Sequence, residues 1–68
     1  MTRYVVNETG ENLFGIVLEG ESGHVLDKIE DITDERDLLE QMVETFNRRG
    51  LMPECFREMI GSFIGILL

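Results

Sequence analysis

Three groups of side chains in this chain are of types that do chemistry: a lone histidine, His24, a lone cysteine, Cys55, and a dense run of carboxylates. An imidazole needs a second group within hydrogen-bond reach to act as acid or base, or further ligands to hold a metal. His24 follows the turn glycine Gly23 and is the only histidine present, so it reads as a surface or strand-edge residue. Cys55 falls near the start of a helix, where the helix dipole lowers a thiol pKa. A free cysteine in such a position reads more simply as a small buried hydrophobe. The carboxylates Asp27, Glu30, Asp31, Asp34, Glu35 and Asp37 supply oxygen ligands suited to a hard cation, yet they lack the alternating acidic positions and glycine turn of an EF-hand loop. Acids are plentiful enough for proton transfer, but nothing selects a pair of them. No catalytic residue, cofactor-binding residue or metal ligand is assigned, no cofactor is expected, and the chain reads as a non-enzyme.

The elements that carry these residues divide into a β-rich first half and a helical second half. Residues 3–8 contain Tyr4, Val5 and Val6 and read as a strand from their aromatic and β-branched content. Residues 9–12 turn the chain. Residues 13–19 place Phe14, Ile16 and Leu18 on one side and Leu13, Gly15 and Val17 on the other, so both faces are largely apolar, as in a central strand. Gly15 weakens a strand and implies a bulge, or a helix passing close over the sheet. A turn at Glu21-Ser22-Gly23 leads to residues 24–30, whose apolar spacing suits a helix as well as a strand and is assigned as a strand.

The helices are punctuated more sharply. Thr33 or Asp34 is expected to cap the first, over residues 34–49, with Asp34, Glu35 and Asp37 in the turn where the dipole favours negative charge. Leu39, Met42, Val43 and Phe46 form its apolar stripe, Arg48 and Arg49 fill the last turn, and Gly50 closes it, with Leu51 folding back on the stripe. Pro53 opens the second helix, residues 53–66, where a missing N–H costs nothing. Two residues between helices favour an αα-hairpin, and a sharper corner is also compatible with them. The expected fold class is therefore α+β: a small three-stranded antiparallel sheet followed by two helices, in the order β-β-β-α-α, forming one domain over residues 1–68 without a linker.

Size and charge narrow the function classes. A domain this small buries only about 60% of the surface of its unfolded chain and usually needs a disulfide, a metal or a second subunit. One cysteine and one histidine leave oligomerisation, with a dimer favoured. The second helix strengthens that expectation. Cys55, Phe56, Met59, Ile60, Phe63, Ile64, Ile66, Leu67 and Leu68 cover an arc of roughly 220°, whereas a core-facing stripe needs about 100°. The net charge of −8 is concentrated, since eight of the fourteen carboxylates fall between Asp27 and Glu44 beside only Lys28 and Arg36. Direct nucleic-acid binding is not expected without clustered Lys and Arg. Gly61 and Gly65 give a G-x-x-x-G spacing, but the segment carries Arg57 and Glu58 and spans only about 24 Å as a helix, so a membrane anchor is not expected. The unpaired thiol, with no secretory leader and no long apolar run, points to a reducing cytoplasmic compartment.

Tyr4, Phe14-Gly15-Ile16, Asp31-Ile32-Thr33, Phe46-Asn47 and Leu51-x-Pro53 together give the chain a resemblance to a family of small proteins of Gram-positive bacteria classed as a domain of unknown function. The resemblance covers mainly residues 4–56. It implies a compact bacterial β-then-α protein and carries no activity or binding residues. Beyond Phe56 the chain departs, with Gly61-Ser62-Phe63-Ile64-Gly65 where the family pattern has acids.

Two functions follow as expectations. One is an interaction module that self-associates or grips a partner protein through Phe56, Met59, Ile60, Phe63, Ile64 and Leu67 of the second helix. The alternative is an acidic inhibitor that imitates nucleic acid, of the phage counter-defence type, presenting Glu30, Asp31, Asp34, Glu35, Asp37, Glu40 and Glu44 to a nucleic-acid-binding protein.

Overall fold

A computed structural model describes the backbone of residues 2–67 and the side chains of residues 2–63. Strands β1 (Arg3–Gly10), β2 (Leu13–Glu19) and β3 (Val25–Thr33) form an antiparallel sheet in the order β1-β2-β3, followed by helices α1 (Arg36–Arg49) and α2 (Pro53–Leu67). The α+β fold and its element order are those expected. β2 is central, as its two apolar faces require: Ile16 and Leu18 are buried under the helices, and Val17 is buried on the opposite side.

The core is built on the Tyr4 side of the sheet. Tyr4, Ile16 and Leu18 meet Leu39, Val43 and Phe46 of α1 and Phe56 and Ile60 of α2. The Tyr4 ring lies 5.4 Å from Phe46, edge to face, and 5.2 Å from Phe56, so one aromatic of the first strand touches both helices. Its hydroxyl donates to the Leu51 carbonyl at 2.9 Å, which pins the connection between the helices.

Both ends of the sheet are less regular than its sequence suggests. β1 continues to Gly10, with Thr9 bulged out of register, and the two-residue turn Glu11-Asn12 places Asn12 at φ 63°. β3 runs to Thr33 rather than ending at residue 30. Asp31, at φ 55°, bulges out between Ile29, opposite Ile16, and Thr33, opposite Phe14. That bulge arches over Gly15. The glycine is required by the close approach of β3, not by a crossing helix: a Cβ there would lie 2.2 Å from the Ile29 carbonyl oxygen. The arch is tied to β1, because the Asp31 N–H donates to the Thr9 hydroxyl at 3.0 Å and that hydroxyl donates to the Asp31 carboxylate at 2.8 Å.

α1 starts two residues later than expected. Glu35, not Thr33 or Asp34, occupies the N-cap and its side chain makes no capping bond, while the Thr33 hydroxyl accepts the Glu35 N–H at 3.2 Å. The C-terminus follows the sequence closely. Gly50 adopts the left-handed conformation at φ 67°, the Leu51 N–H donates to the Phe46 carbonyl at 3.0 Å, and Leu51 packs on the core.

Candidate functional site

α2 uses its wide apolar arc on two flanks. Phe56 and Ile60 are 0% and 1% exposed, enclosed by the chain's own sheet and α1. Of the residues expected to bind a partner, Phe56 and Ile60 therefore face the chain's own core, the Phe56 ring tilted 57° against Tyr4. Met59 and Phe63 lie on the other flank, Met59 46% exposed and Phe63 half-buried against the core. Ile64 and Leu67 belong to the same expected face, and their side chains lie outside the described residues.

Between the helices this second flank forms one wall of a groove of about 420 Å³. α1 contributes Leu38, Gln41 and Met42, and α2 contributes Met59, Ser62 and Phe63. The spacing explains the meeting: Leu38 and Met42 sit four apart on the side of α1 turned from its acids, and Met59 and Phe63 sit four apart on α2. None of the residues lining the groove is charged. Two methionines give it walls that adapt to the shape of an apolar occupant.

The second large cleft, about 710 Å³, lies where the start of β1, the β2–β3 turn and the α1–α2 connection converge. Its central polar groups are already engaged. The Asn47 carboxamide accepts the Tyr4 N–H at 2.8 Å and donates to the Tyr4 carbonyl at 2.9 Å, while the Tyr4 hydroxyl is held by Leu51. Burial raises the Tyr4 pKa above its ordinary value, with smaller contributions from Cys55 and Glu54, so the phenol stays a neutral donor.

The remaining candidates are dispersed. His24 is exposed in the β2–β3 turn, its ring over Gly20 and its carbonyl accepting the Gly20 N–H. Cys55 is half-buried and unpaired. Among the described residues no three His, Cys, Asp or Glu side chains converge on a common point, and no helix is long and apolar enough to cross a membrane. Glu30, Asp31, Asp34, Glu35, Asp37, Glu40 and Glu44 are all exposed. Asp37, Glu40 and Glu44 share the α1 face opposite Leu38 and Met42. Three members of the set already have partners: Glu30 pairs with Lys28 at 3.6 Å, Glu44 with Arg48 at 4.0 Å, and Asp31 with Thr9.

Two arrangements went unseen in the sequence. Asn47 clasps the edge of β1, and Arg57 of α2 grips Asp27 of β3 in a bidentate pair, with Nη2 at 2.6 Å from Oδ1 and Nε at 3.0 Å from Oδ2. That pairing holds the Asp27 carboxyl below the usual carboxylate range, helped by the Lys28 N–H and opposed by desolvation. Polar residues at the rim of an apolar stripe, as Asn47 and Arg57 are, gave the only signal. Compared with known proteins, the chain matches no family model, no curated protein and no solved structure.

Proposed function

We propose that the protein is a non-enzymatic interaction module that pairs with a second copy of itself through the groove between α1 and α2. The observation that carries this reading is an uncharged groove, with Met59 46% exposed on its wall, in a protein of net charge −8. Two like-charged molecules meet most cheaply where neither presents charge. The groove is such a place. The single thiol suits a reducing, cytoplasmic setting for such a module.

Sedimentation equilibrium over a concentration series tests the proposal. The 7.8 kDa chain should double in mass. Added salt should strengthen the association, because it screens the repulsion between acidic copies, whereas attraction of a basic partner to the acids weakens with salt. Met59→Glu places a like charge in each groove and should weaken the dimer at least about tenfold, the effect of about 1.4 kcal/mol. A wild-type chain that stays at 7.8 kDa at every concentration, or a dimer indifferent to Met59→Glu, refutes it.

A further inference from the structure

A three-stranded sheet has two open edges, each a row of N–H and C=O groups able to take another strand. Here each edge meets a polar side chain from a different helix. On β1, Tyr4 turns its N–H and carbonyl away from β2, and the Asn47 carboxamide satisfies both, as a neighbouring strand would. On the far side the antiparallel ladder fixes the direction of β3. Tyr4 lies opposite Leu18, and Leu18 opposite Asp27; with the Tyr4 groups facing outward, the alternation turns the backbone groups of Lys28 outward too. Those groups are also met by side chains. The Asp27 carboxylate accepts the Lys28 N–H at 2.8 Å, and Arg57, held on Asp27, reaches the Lys28 carbonyl at 3.5 Å.

We propose that Asn47 and the Arg57–Asp27 pair are plugs that stop β1 and β3 from adding a strand of a second copy, so that self-association is confined to surfaces other than the sheet edges. Stability alone explains them less well. Asn47 and Arg57 are exposed rim residues rather than core members, yet each is directed at the outward-facing backbone of an edge strand. Irregularity closes much of the remaining edge length. Thr9 and Asp31 break the ladder at one end of the sheet, and a register shift beside Leu26 breaks β3 at the other. What remains is Glu30 on β3, which turns outward with Lys28, and Val6 and Glu8 on β1, which turn outward with Tyr4; no side chain meets the backbone groups of these three among the described residues. Removing the Asn47 plug lengthens the open edge of β1 to three outward-facing residues.

The test is an Asn47→Ala/Arg57→Ala double variant, compared with wild type by sedimentation and by amide hydrogen exchange. The expected result is association at least tenfold tighter than wild type, with protection of the Val6 and Lys28 amides rising with protein concentration. A folded double variant with wild-type mass throughout, or new association that leaves those two amides unprotected, overturns the proposal. Should the double variant fail to fold, wild-type protein diluted until its mass is that of a single chain decides the question. There the Tyr4 amide should exchange far more slowly than the Val6 amide, and equal rates overturn the plug at β1.

Discussion

Replacing Gly15 with alanine puts a methyl carbon 2.2 Å from the Ile29 carbonyl oxygen and 2.9 Å from the Glu30 Cα, both backbone atoms of β3. Non-bonded carbon and oxygen come no closer than about 3.3 Å even in favourable contacts, so β3 must withdraw by about 1 Å. Overpacking of this kind costs about 1–3 kcal/mol. The withdrawal also strains the Thr9–Asp31 bonds that hold the arch, each worth about 0.5–1.5 kcal/mol, nearer the low end because they are exposed. Lower entropy of the unfolded alanine chain returns about 0.4–1 kcal/mol. The net loss is about 1–4 kcal/mol, a large share of the roughly 3–10 kcal/mol expected of a domain this size. Urea unfolding followed by far-UV circular dichroism measures it, read as a fall in midpoint with the slope unchanged. Gly61→Ala is the control: nothing lies within 4 Å of a Cβ there, and helix propensity predicts a gain of about 0.5–1 kcal/mol. A Gly15→Ala loss below about 1 kcal/mol refutes the tight arch of β3 over β2.

Tyr4→Phe removes the hydroxyl that Leu51 accepts and keeps the ring contacts, and it should cost about 1–2 kcal/mol by the same urea assay. It should also flatten the alkaline limb of stability. A raised folded-state pKa means the wild-type contribution is intact below the ordinary tyrosine value near 10 and is lost as pH rises through the folded value, a loss phenylalanine cannot show. Asp27 acts in the opposite sense: its lowered pKa gives a contribution fully present above about pH 4 and lost as pH falls through the folded value. Thermal melts from pH 7 to 3 should fall less steeply for Asp27→Asn than for wild type, by a small margin because the pair is exposed and screened.

Elements whose signals are local were legible in the sequence. Gly50 and Pro53 bound their helices as expected, and the two apolar faces of β2 identified it as the middle strand. The arch at Asp31 was not legible, because its cause is non-local: an acidic pair, Glu30-Asp31, looks like the end of a strand until Ile32 and Thr33 are seen returning to Phe14. The cap of α1 failed for a related reason: the Thr33 hydroxyl accepts an N–H two residues on, as a cap does, but that N–H belongs to Glu35, which precedes the first helical residue. On α2 the helical arc identified an excess of apolar surface without its direction. Angular position cannot distinguish the flank that meets Tyr4, where Phe56 and Ile60 are enclosed, from the flank that meets Leu38 and Met42. The edge contacts of Asn47 and Arg57 depend on strand order, which no residue spacing encodes.

Tyr4 also sets the order in which this fold can be completed. Its ring, its hydroxyl and both of its backbone groups are satisfied by Phe46, Asn47, Leu51 and Phe56, all more than forty residues downstream. The β1–β2 hairpin can pair before the helices form, but Tyr4 gains its first helical partners only with Phe46 and Asn47 of α1 and its last with Phe56 of α2. β1 and α2 therefore complete the fold together, and loss of the Tyr4 side chain dissolves the joint on which both helices are assembled.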